Sequence, residues 1–178
     1  MNSDTRLFLF LNKFSGRSKA GNFYIAALGE YLAYALISIF LLSLFFYPLF
    51  NHNSLILEAS VLFASLLSRF AFGTPLRFLL KRTRPHKIHR VHNVLSEESF
   101  SFPSGHSLFF FAFASILFFY SHVFGAIFFL GVCIMTLFRV VAGVHYPSDI
   151  AGGMLIGILS GILTFYFITP ILQILFTS

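Results

Sequence analysis

The chain has 178 residues, of which 57% are hydrophobic, 19% aromatic and only 10% charged, and its formal net charge is +6. A soluble domain averages about 25% charged residues, so this composition excludes an ordinary soluble domain. Little sequence is left outside the apolar stretches, which favours one membrane domain over residues 1–178.

The first 22 residues predict a helix that lies on the membrane surface. Apolar Leu7, Phe8, Phe10, Leu11 and Phe14 are interspersed with basic Arg6, Lys13, Arg17 and Lys19. This mixture is typical of an interfacial amphipathic helix. The segment has no long apolar core followed by a small-residue cleavage site, so it does not resemble a cleaved signal peptide.

Five apolar stretches follow, each close to the ~20 residues that a membrane span needs. They cover about residues 24–50, 54–72, 104–120, 123–141 and 148–167 or beyond. Backbone groups in lipid must be hydrogen-bonded within the segment, so these stretches are expected to be helices. The predicted fold is all-α: a polytopic membrane helical bundle of about five transmembrane helices over 24–178, plus the interfacial helix over 1–22.

Two local features refine this outline. Gly73, Thr74 and Pro75 are expected to end the second span, because proline disfavours helix continuation. The small-residue run AGGMLIGILSG at 151–161 predicts close packing of the fifth span against a neighbour.

The connectivity places the N-terminus, the segment between spans two and three, and the turn between spans four and five on one side of the membrane. Eleven of the twelve Arg and Lys residues lie on that side, and the twelfth, Arg69, lies near the same end of span two. The positive-inside rule alone predicts that this side is cytoplasmic. Within the spans, Glu30 and Arg69 are expected to pair, because isolated charges in lipid are costly.

Three polar segments on the basic side predict a phosphate site. They are Arg77–Pro85, Pro103–His106 and Arg139–Asp149. Arginine forks match phosphate oxygens, and a helix N-terminus favours an anion. Ser104 is a suitable N-cap, and Gly105 permits close approach of the backbone to a ligand.

Two histidines add chemistry to this site. A neutral histidine becomes a nucleophile when a carboxylate holds its other ring nitrogen, and Asp149 follows His145 by four residues. His106 then remains as the acid for the leaving oxygen. Asp4 is the only other Asp in the chain, so a metal-free mechanism without a cofactor is favoured.

A second histidine pattern, HKIHRVH, contains His86, His89 and His92. A zinc site is one interpretation of this pattern. No carboxylate or cysteine that would complete such a site is adjacent, so a polar loop over the phosphate site is favoured.

These segments resemble the type-2 phosphatidic acid phosphatase superfamily, whose motif is Lys-x6-Arg-Pro, Pro-Ser-Gly-His and Ser-Arg-x5-His-x3-Asp. Here they read RFLLKRTRP, PSGH and FRVVAGVHYPSD. The resemblance implies that His145 forms a phosphohistidine, that Asp149 orients it, and that His106 protonates the leaving group and then activates water. It also implies that the phosphoryl group is held by Arg84, Arg139, Ser104 and Gly105.

The chain departs from this motif at two positions. Arg77 stands where the family has Lys, and Lys81, one helical turn later, is an alternative for the same role. Phe138 replaces the Ser before Arg139.

The short five-span layout with its LFLFLNKFSGRS segment is most similar to bacterial undecaprenyl-diphosphate phosphatases. This implies hydrolysis of undecaprenyl diphosphate to undecaprenyl phosphate at the outer face of the cytoplasmic membrane, with the N-terminus on that face. The alternative substrates are phosphatidic acid, phosphatidylglycerol phosphate and lipid A 1-phosphate. A different class of function is a non-catalytic binder or transporter of lipid phosphates. The expected partners are the bilayer and the lipid, not nucleic acid, and the sequence leaves the oligomeric state open.

Overall fold

The computed structural model describes residues 2–46 and 54–177, and those residues form helices joined by turns and coil, with no β-strand. The helices are α1 (Ser3–Asn12), α2 (Lys19–Ala26, Ala27–Tyr31 and Leu32–Phe46), α3 (Ser54–Leu66, Leu67–Gly73 and Thr74–Leu80), α4 (Pro85–Ile88), α5 (Gly105–Tyr120), α6 (His122–Val141) and α7 (Pro147–Leu163, Thr164–Ile168 and Thr169–Thr177). The middle segments of α2, α3 and α7 are π-helical. The predicted all-α architecture is confirmed.

Four helical stretches of the described chain are long and apolar enough to cross a membrane. They cover Lys19–Leu42, Ile56–Ile88, His122–Val141 and Pro147–Leu175. The fifth expected span, α5, is apolar but has only 16 residues. At 1.5 Å per residue α5 is about 24 Å long, and its middle is buried among the other helices. The protein is therefore a multi-pass membrane protein with a short central helix.

The boundary between the interfacial helix and the first span differs from the prediction. α1 ends at Asn12, and the next helix begins at Lys19 rather than near residue 24. The Ser18 hydroxyl accepts a hydrogen bond from Gly21 N at 2.9 Å and thus caps the new helix. Gly16, with φ +76°, provides the turn between the two helices. Residues 19–22 therefore belong to the first membrane-spanning helix.

The second span also differs, because Pro75 does not end it. α3 continues to Leu80, and its π-helical segment Leu67–Gly73 precedes the proline. Proline has no N–H to donate, so one intrahelical bond is missing here. The Thr74 hydroxyl donates to Arg69 O at 3.1 Å. This bond and the extra residue in the π turn allow the helix to pass the proline.

The core forms where α5 packs against α7. Gly153, Gly157 and Gly161 lie along one face of α7 and touch α5 directly. A Cβ at Gly157 would lie 2.7 Å from Leu108 O and 3.0 Å from Ala112 N. The expected close packing of the small-residue run is confirmed.

The polar loops meet at one end of the bundle. Val94 N donates to Ala142 O at 3.0 Å, and Ser101 N donates to Arg82 O at 2.8 Å. The segment before α5 is thereby tied both to the end of α3 and to the turn between α6 and α7. The three predicted segments thus converge at the N-termini of α5 and α7.

Candidate active site

His145 lies in the tight turn between α6 and α7 and is 1% exposed. Its Nε2 lies 3.2 Å from Nη1 of Arg84. Arginine only donates hydrogen bonds, so Nε2 carries the lone pair and Nδ1 carries the proton. Nδ1 points to Oδ2 of Asp149 at 3.5 Å and has no nearer acceptor in the described part of the chain. Burial lowers the pKa of His145 to about 4, although Asp149 opposes the shift, so the ring is neutral at pH 7.

Asp149 is fully buried in the first turn of α7. Tyr146 is the N-cap and Pro147 the first residue of this helix, which places Asp149 at the capping-box position. Its Oδ2 accepts hydrogen bonds from Tyr146 N at 2.8 Å and from the Ser101 hydroxyl. Its Oδ1 accepts from Nη1 of Arg82 at 2.7 Å. The carboxylate is therefore fixed on both oxygens.

Arg84 is held rigidly beside His145. Its side chain is 1% exposed. Nε donates to Ser99 O at 2.6 Å, and Nη1 donates to Val144 O at 2.7 Å. The guanidinium group is thus fixed by loop carbonyls, and one edge of it faces the Nε2 atom of the histidine.

Arg139, in the last turn of α6, is equally buried. Nη1 donates to Gly29 O, in the π-helical segment of α2, at 3.0 Å. Nε is buried and has no hydrogen-bond partner among the residues that the structure describes. Buried guanidinium N–H groups are rarely left unsatisfied, so this N–H is available to donate to a ligand.

Glu97 bridges the two buried arginines. Oε2 accepts from Nη2 of Arg84 at 2.8 Å, and Oε1 accepts from Nη2 of Arg139. Burial alone would raise the pKa of Glu97, but Arg139 and Arg84 outweigh it and hold that pKa below its usual value. A charged carboxylate therefore shares the guanidinium pair that the sequence assigns to a phosphoryl group.

The N-terminus of α5 lies beside two further arginines. Ser104 is fully buried and caps the helix, accepting from Ser107 N at 3.4 Å. Arg77 donates from Nε and Nη2 to Pro103 O at 3.1 and 3.0 Å. A Cβ on Gly105 would collide with the guanidinium ends of Arg77 and Arg69. Gly105 therefore makes room for two cations at a helix N-terminus.

His106 lies in the first turn of α5 and is partly buried. Its ring stacks on Phe110, with centroids 6.2 Å apart and an interplanar angle of 13°. It is close enough to Arg139 and His145 to interact with both electrostatically. The two histidines of the motif thus lie in one site.

The structure distinguishes Arg77 from Lys81. Lys81 ends α3 in the left-handed conformation, φ 45°, and its side chain is exposed. In the described part of the chain it makes no side-chain hydrogen bond or ion pair, whereas Arg77 lies at the helix N-terminus beside Gly105.

The predicted pair between Glu30 and Arg69 is wrong. Both residues are described, and they form no ion pair within 4.0 Å. Arg69 instead points to Gly105, while Glu30 interacts electrostatically with Arg139. Arg69 is therefore a cation of the site that the sequence reading assigned elsewhere.

His86, His89 and His92 do not converge. Nε2 of His89 lies 3.1 Å from the Tyr146 hydroxyl, while His92 contacts the turn at Gly16. In residues 2–46 and 54–177, no three His, Cys, Asp or Glu side chains are grouped so that they could hold a metal ion.

The structure brings together the residues predicted for the site, except for Lys81. Besides Arg69, sequence reasoning missed four residues: Asp4, Arg82, Glu97 and Ser101. One signal was available for Glu97, because it and Glu98 are the only acids between Glu58 and Asp149 in a strongly basic stretch. Nothing in the local pattern pointed to Asp4 or Ser101.

Comparison with known proteins agrees with this geometry. The family model described as the PAP2 superfamily matches residues 57–172. The crystal structure of LpxE from Aquifex aeolicus superposes with a TM-score of 0.70 at 25% identity, covering 94% of this chain and 97% of that one. The crystal structure of the first transmembrane PAP2 type phosphatidylglycerolphosphate phosphatase from Bacillus subtilis superposes with a TM-score of 0.64 at 21% identity, covering 96% of this chain and 89% of that one, and shows the shared fold.

A curated relative is similar over a shorter stretch. The bacitracin transport permease protein BcrC of Bacillus licheniformis is 35% identical over 66 residues, or 37% of this chain. The match spans 32% of the length of that relative.

Proposed function

Because the chain belongs to the PAP2 superfamily of membrane lipid phosphatases, we propose that it removes a phosphate group from a membrane lipid through a covalent phosphohistidine on His145. The substrate we favour is undecaprenyl diphosphate, which would be converted to undecaprenyl phosphate.

The observation that carries this proposal is that the imidazole ring of His145 is neutral and held in one orientation. Nδ1 faces Asp149 and Nε2 faces Nη1 of Arg84. Its lone pair therefore lies on the atom that faces Arg84, and Arg139 is close enough to interact with the ring electrostatically, so a phosphoryl group bound by these arginines would meet it. A neutral imidazole held in this tautomer is a competent nucleophile.

In the first step, Nε2 of His145 attacks phosphorus, and the bond between phosphorus and the leaving oxygen breaks. His106 donates a proton to that oxygen, and Asp149 stabilises the imidazolium that forms. In the second step His106 removes a proton from water, the water oxygen attacks phosphorus, and the P–N bond breaks. Inorganic phosphate leaves, and His145 is again neutral. The proposed steps use no metal.

The cations around the site supply most of the proposed rate enhancement, because charge develops on the phosphoryl oxygens in the transition state. Arg84 and Arg139 would bind these oxygens directly. We assign the role of the family's lysine to Arg77, next to the donors at Ser104 and Gly105, rather than to the exposed Lys81.

The choice of lipid rests on the short five-span layout with its N-terminal amphipathic segment. Phosphatidylglycerol phosphate is one alternative, and the phosphatidylglycerolphosphate phosphatase among the solved structures shares the fold with this chain. Phosphatidic acid and lipid A 1-phosphate are further candidates. We place the enzyme in the bacterial cytoplasmic membrane, with its active site and N-terminus on the outer face.

The proposal is tested by phosphate release from a panel of the four lipids. The purified protein would be assayed in detergent, with and without a chelator, and His145→Ala would serve as the inactive control. We expect one lipid to dominate, the chelator to have no effect, and the variant to lose at least about 10³-fold in kcat.

Two results would contradict the proposal. Activity retained by His145→Ala would exclude the phosphohistidine. Tight lipid binding without phosphate release would favour a non-catalytic binder or transporter.

A further inference from the structure

The carboxylate of Asp149 is fixed by residues outside the family motif. Oδ2, the oxygen nearer to Nδ1 of His145, is shared with Tyr146 N and the Ser101 hydroxyl. Oδ1 is bound by the guanidinium group of Arg82 at 2.7 Å. The carboxylate orients the imidazole ring of His145. The groups that hold Oδ1 therefore also help to fix the orientation of the nucleophilic nitrogen.

Arg82 is in turn held by the N-terminal helix. Its Nη2 donates to Oδ2 of Asp4 at 2.6 Å, and its guanidinium carbon lies 4.2 Å from the centre of the Tyr146 ring. Its side chain is 29% exposed, so burial alone does not fix it. Asp4 also accepts from the backbone N and the hydroxyl of Ser148, at 2.9 and 2.5 Å. Asp4 therefore ties Arg82 to the first turn of α7.

α1 is seated firmly enough to transmit this constraint. Phe8 is fully buried and meets Tyr146 edge to face, with centroids 5.4 Å apart. Nδ2 of Asn12 donates to His92 O at 2.8 Å and to Val141 O at 2.9 Å.

Other side chains of α1 and the turn after it are exposed. Leu7, Phe10 and Phe14 suit the membrane interface. The membrane-surface helix and the catalytic carboxylate are thus connected through two ion pairs.

We infer that Arg82 and Asp4 are positioning residues for the nucleophile: Arg82 orients Asp149, and Asp4 holds Arg82 in place from α1. The inference rests on the proposed phosphohistidine chemistry. Positioning partners of this kind act on the rate of the chemical step rather than on lipid binding, and their removal typically costs about 10–100-fold. An Asp at the start of a helix also stabilises that helix through its dipole, so stability and catalysis must be measured separately.

The test is steady-state kinetics of the full chain with the lipid that the panel identifies. The variants are Arg82→Gln, Arg82→Lys, Asp4→Asn and the double variant Asp4→Asn/Arg82→Gln. Arg6→Gln is the matched control, because Arg6 is an exposed cation of the same helix without a side-chain contact in the described residues. The thermal midpoint of each variant is measured by circular dichroism.

We expect kcat to fall about 10–100-fold in Arg82→Gln and about 10-fold in Asp4→Asn, with KM changed less than about twofold. Arg82→Lys should recover part of the loss, since it keeps a charge near Asp149 but cannot bind two carboxylates at once. The double variant should be no slower than Arg82→Gln alone, because Asp4 acts through Arg82. Arg6→Gln should match the unchanged protein.

The pH dependence of kcat/KM gives a second measurement. It should not change if Arg82 only stabilises the fold. Loss of the Arg82 charge leaves Asp149 less neutralised, so His145 should take up a proton more readily, and the acid limb of kcat/KM should move to higher pH. The other charged or titratable groups that face His145 are unchanged in these variants; they are Arg84, Arg139, Glu97 and His106.

The inference is overturned if both single variants keep kcat within about twofold of the unchanged protein, if only KM rises, or if the two losses multiply in the double variant. If Arg82→Gln lowers the thermal midpoint strongly, the kcat and KM of Asp4→Asn and Arg82→Lys test the positioning role instead, with the same limits on kcat and KM. If the protein without substitutions releases no phosphate from any lipid, the proposed function is contradicted, and the inference that rests on it is contradicted too.

Discussion

At the residue scale, three carboxylates and three arginines of the site form two sets of ion pairs. Asp4 and Asp149 both pair with Arg82, and Glu97 pairs with both Arg84 and Arg139. Buried cations are tolerated only when they are paired, and removing one member of a buried pair typically costs about 3–5 kcal/mol. These ion pairs offset part of the positive charge of the site, which also contains Arg69 and Arg77, and they hold the guanidinium groups in place.

Glu97→Gln tests how this network responds to a phosphoryl anion. The amide keeps the shape of the side chain but removes a negative charge from between Arg84 and Arg139, so a bound anion is no longer repelled. We expect the inhibition constant of orthovanadate to fall about tenfold, which corresponds to about 1.4 kcal/mol.

Glu98→Gln is the matched control for this measurement. Glu98 is 86% exposed and pairs only with Lys87 among the described residues, so inhibition by vanadate should not change. Weaker inhibition of Glu97→Gln would contradict the prediction and indicate that Glu97 orients the arginines instead of competing with phosphate.

The pKa of His145 sets an expectation for acid pH. The folded chain takes up this proton only below about pH 4, whereas the unfolded chain takes it up below about 6.5. Stability is therefore lost as the pH falls through that window, by at most about 3 kcal/mol. The lowered pKa of Glu97 acts in the same direction, because its contribution is also lost as the pH falls.

Thermal unfolding in detergent between pH 7 and pH 4 measures this effect. We expect the midpoint to fall toward pH 4, and to fall less in His145→Gln, which has no proton to take up. The acid limb of kcat/KM should lie well below pH 6.5. An acid limb near 6.5 would show that the nucleophile is not the buried, neutral imidazole described above.

The sequence predicts the residues with chemistry but not those that hold them. Spacing along one turn brings His145 and Asp149 together, so their relation is visible locally. Asp4 and Ser148 are 144 positions apart, and only the tertiary fold brings them into contact. The pairing of Arg69 was predicted wrongly for the same reason, because Arg69 reaches the N-terminus of another helix at Gly105 and local sequence does not show this contact.

At the scale of elements, a Thr-Pro pair explains why the end of the second span was predicted wrongly, and the same arrangement recurs in α7. Thr74 and Thr169 each follow a π-helical segment, and each hydroxyl donates to the carbonyl five residues earlier, at 3.1 and 3.2 Å. The lost proline N–H is offset within the helix, so Pro75 and Pro170 do not terminate it. Local propensity alone cannot predict this, because the π turn depends on the packing around it.

The glycine face of α7 sets the separation of α7 from α5, and Gly157→Ala tests it. The added Cβ would meet backbone atoms of Leu108 and Ala112 at 2.7 and 3.0 Å, so the helices must move apart. Overpacking of this kind typically costs about 1–3 kcal/mol. We expect a lower thermal midpoint and lower activity, because the N-termini of both helices form the site.

Gly131→Ala is the control for Gly157→Ala. A Cβ at Gly131 would meet only the end of Leu36, at 3.4 Å or more, which is ordinary contact. Alanine also favours a helix by about 1 kcal/mol over glycine. An unchanged or higher midpoint is expected for Gly131→Ala, and equal losses in both variants would contradict the close-packing role of Gly157.

At the scale of the whole molecule, the concentration of Arg and Lys on one side of the membrane has a second explanation besides the positive-inside rule. Arg82, Arg84 and Arg139 form ion pairs at the site, and Arg77 binds a loop carbonyl there. If the proposed function is correct, these cations are placed by the chemistry of a phosphate site and carry little information on which side of the membrane they face. The prediction that this side is cytoplasmic then depends mainly on the cations of the N-terminal segment and on Lys81, Lys87 and Arg90.

Cysteine labelling decides the orientation. Cys133 is the only cysteine, so a Cys133→Ser background can carry a single new thiol at Ser3 in α1 or at Thr177 at the end of α7. The active site lies at the end of the bundle that carries α1, and an odd number of spans would place α7's end on the opposite side. We expect a membrane-impermeant maleimide to label Ser3→Cys in intact cells, but Thr177→Cys only after lysis. The reverse pattern would place the active site in the cytoplasm, and the basic N-terminal segment would then have indicated the orientation correctly.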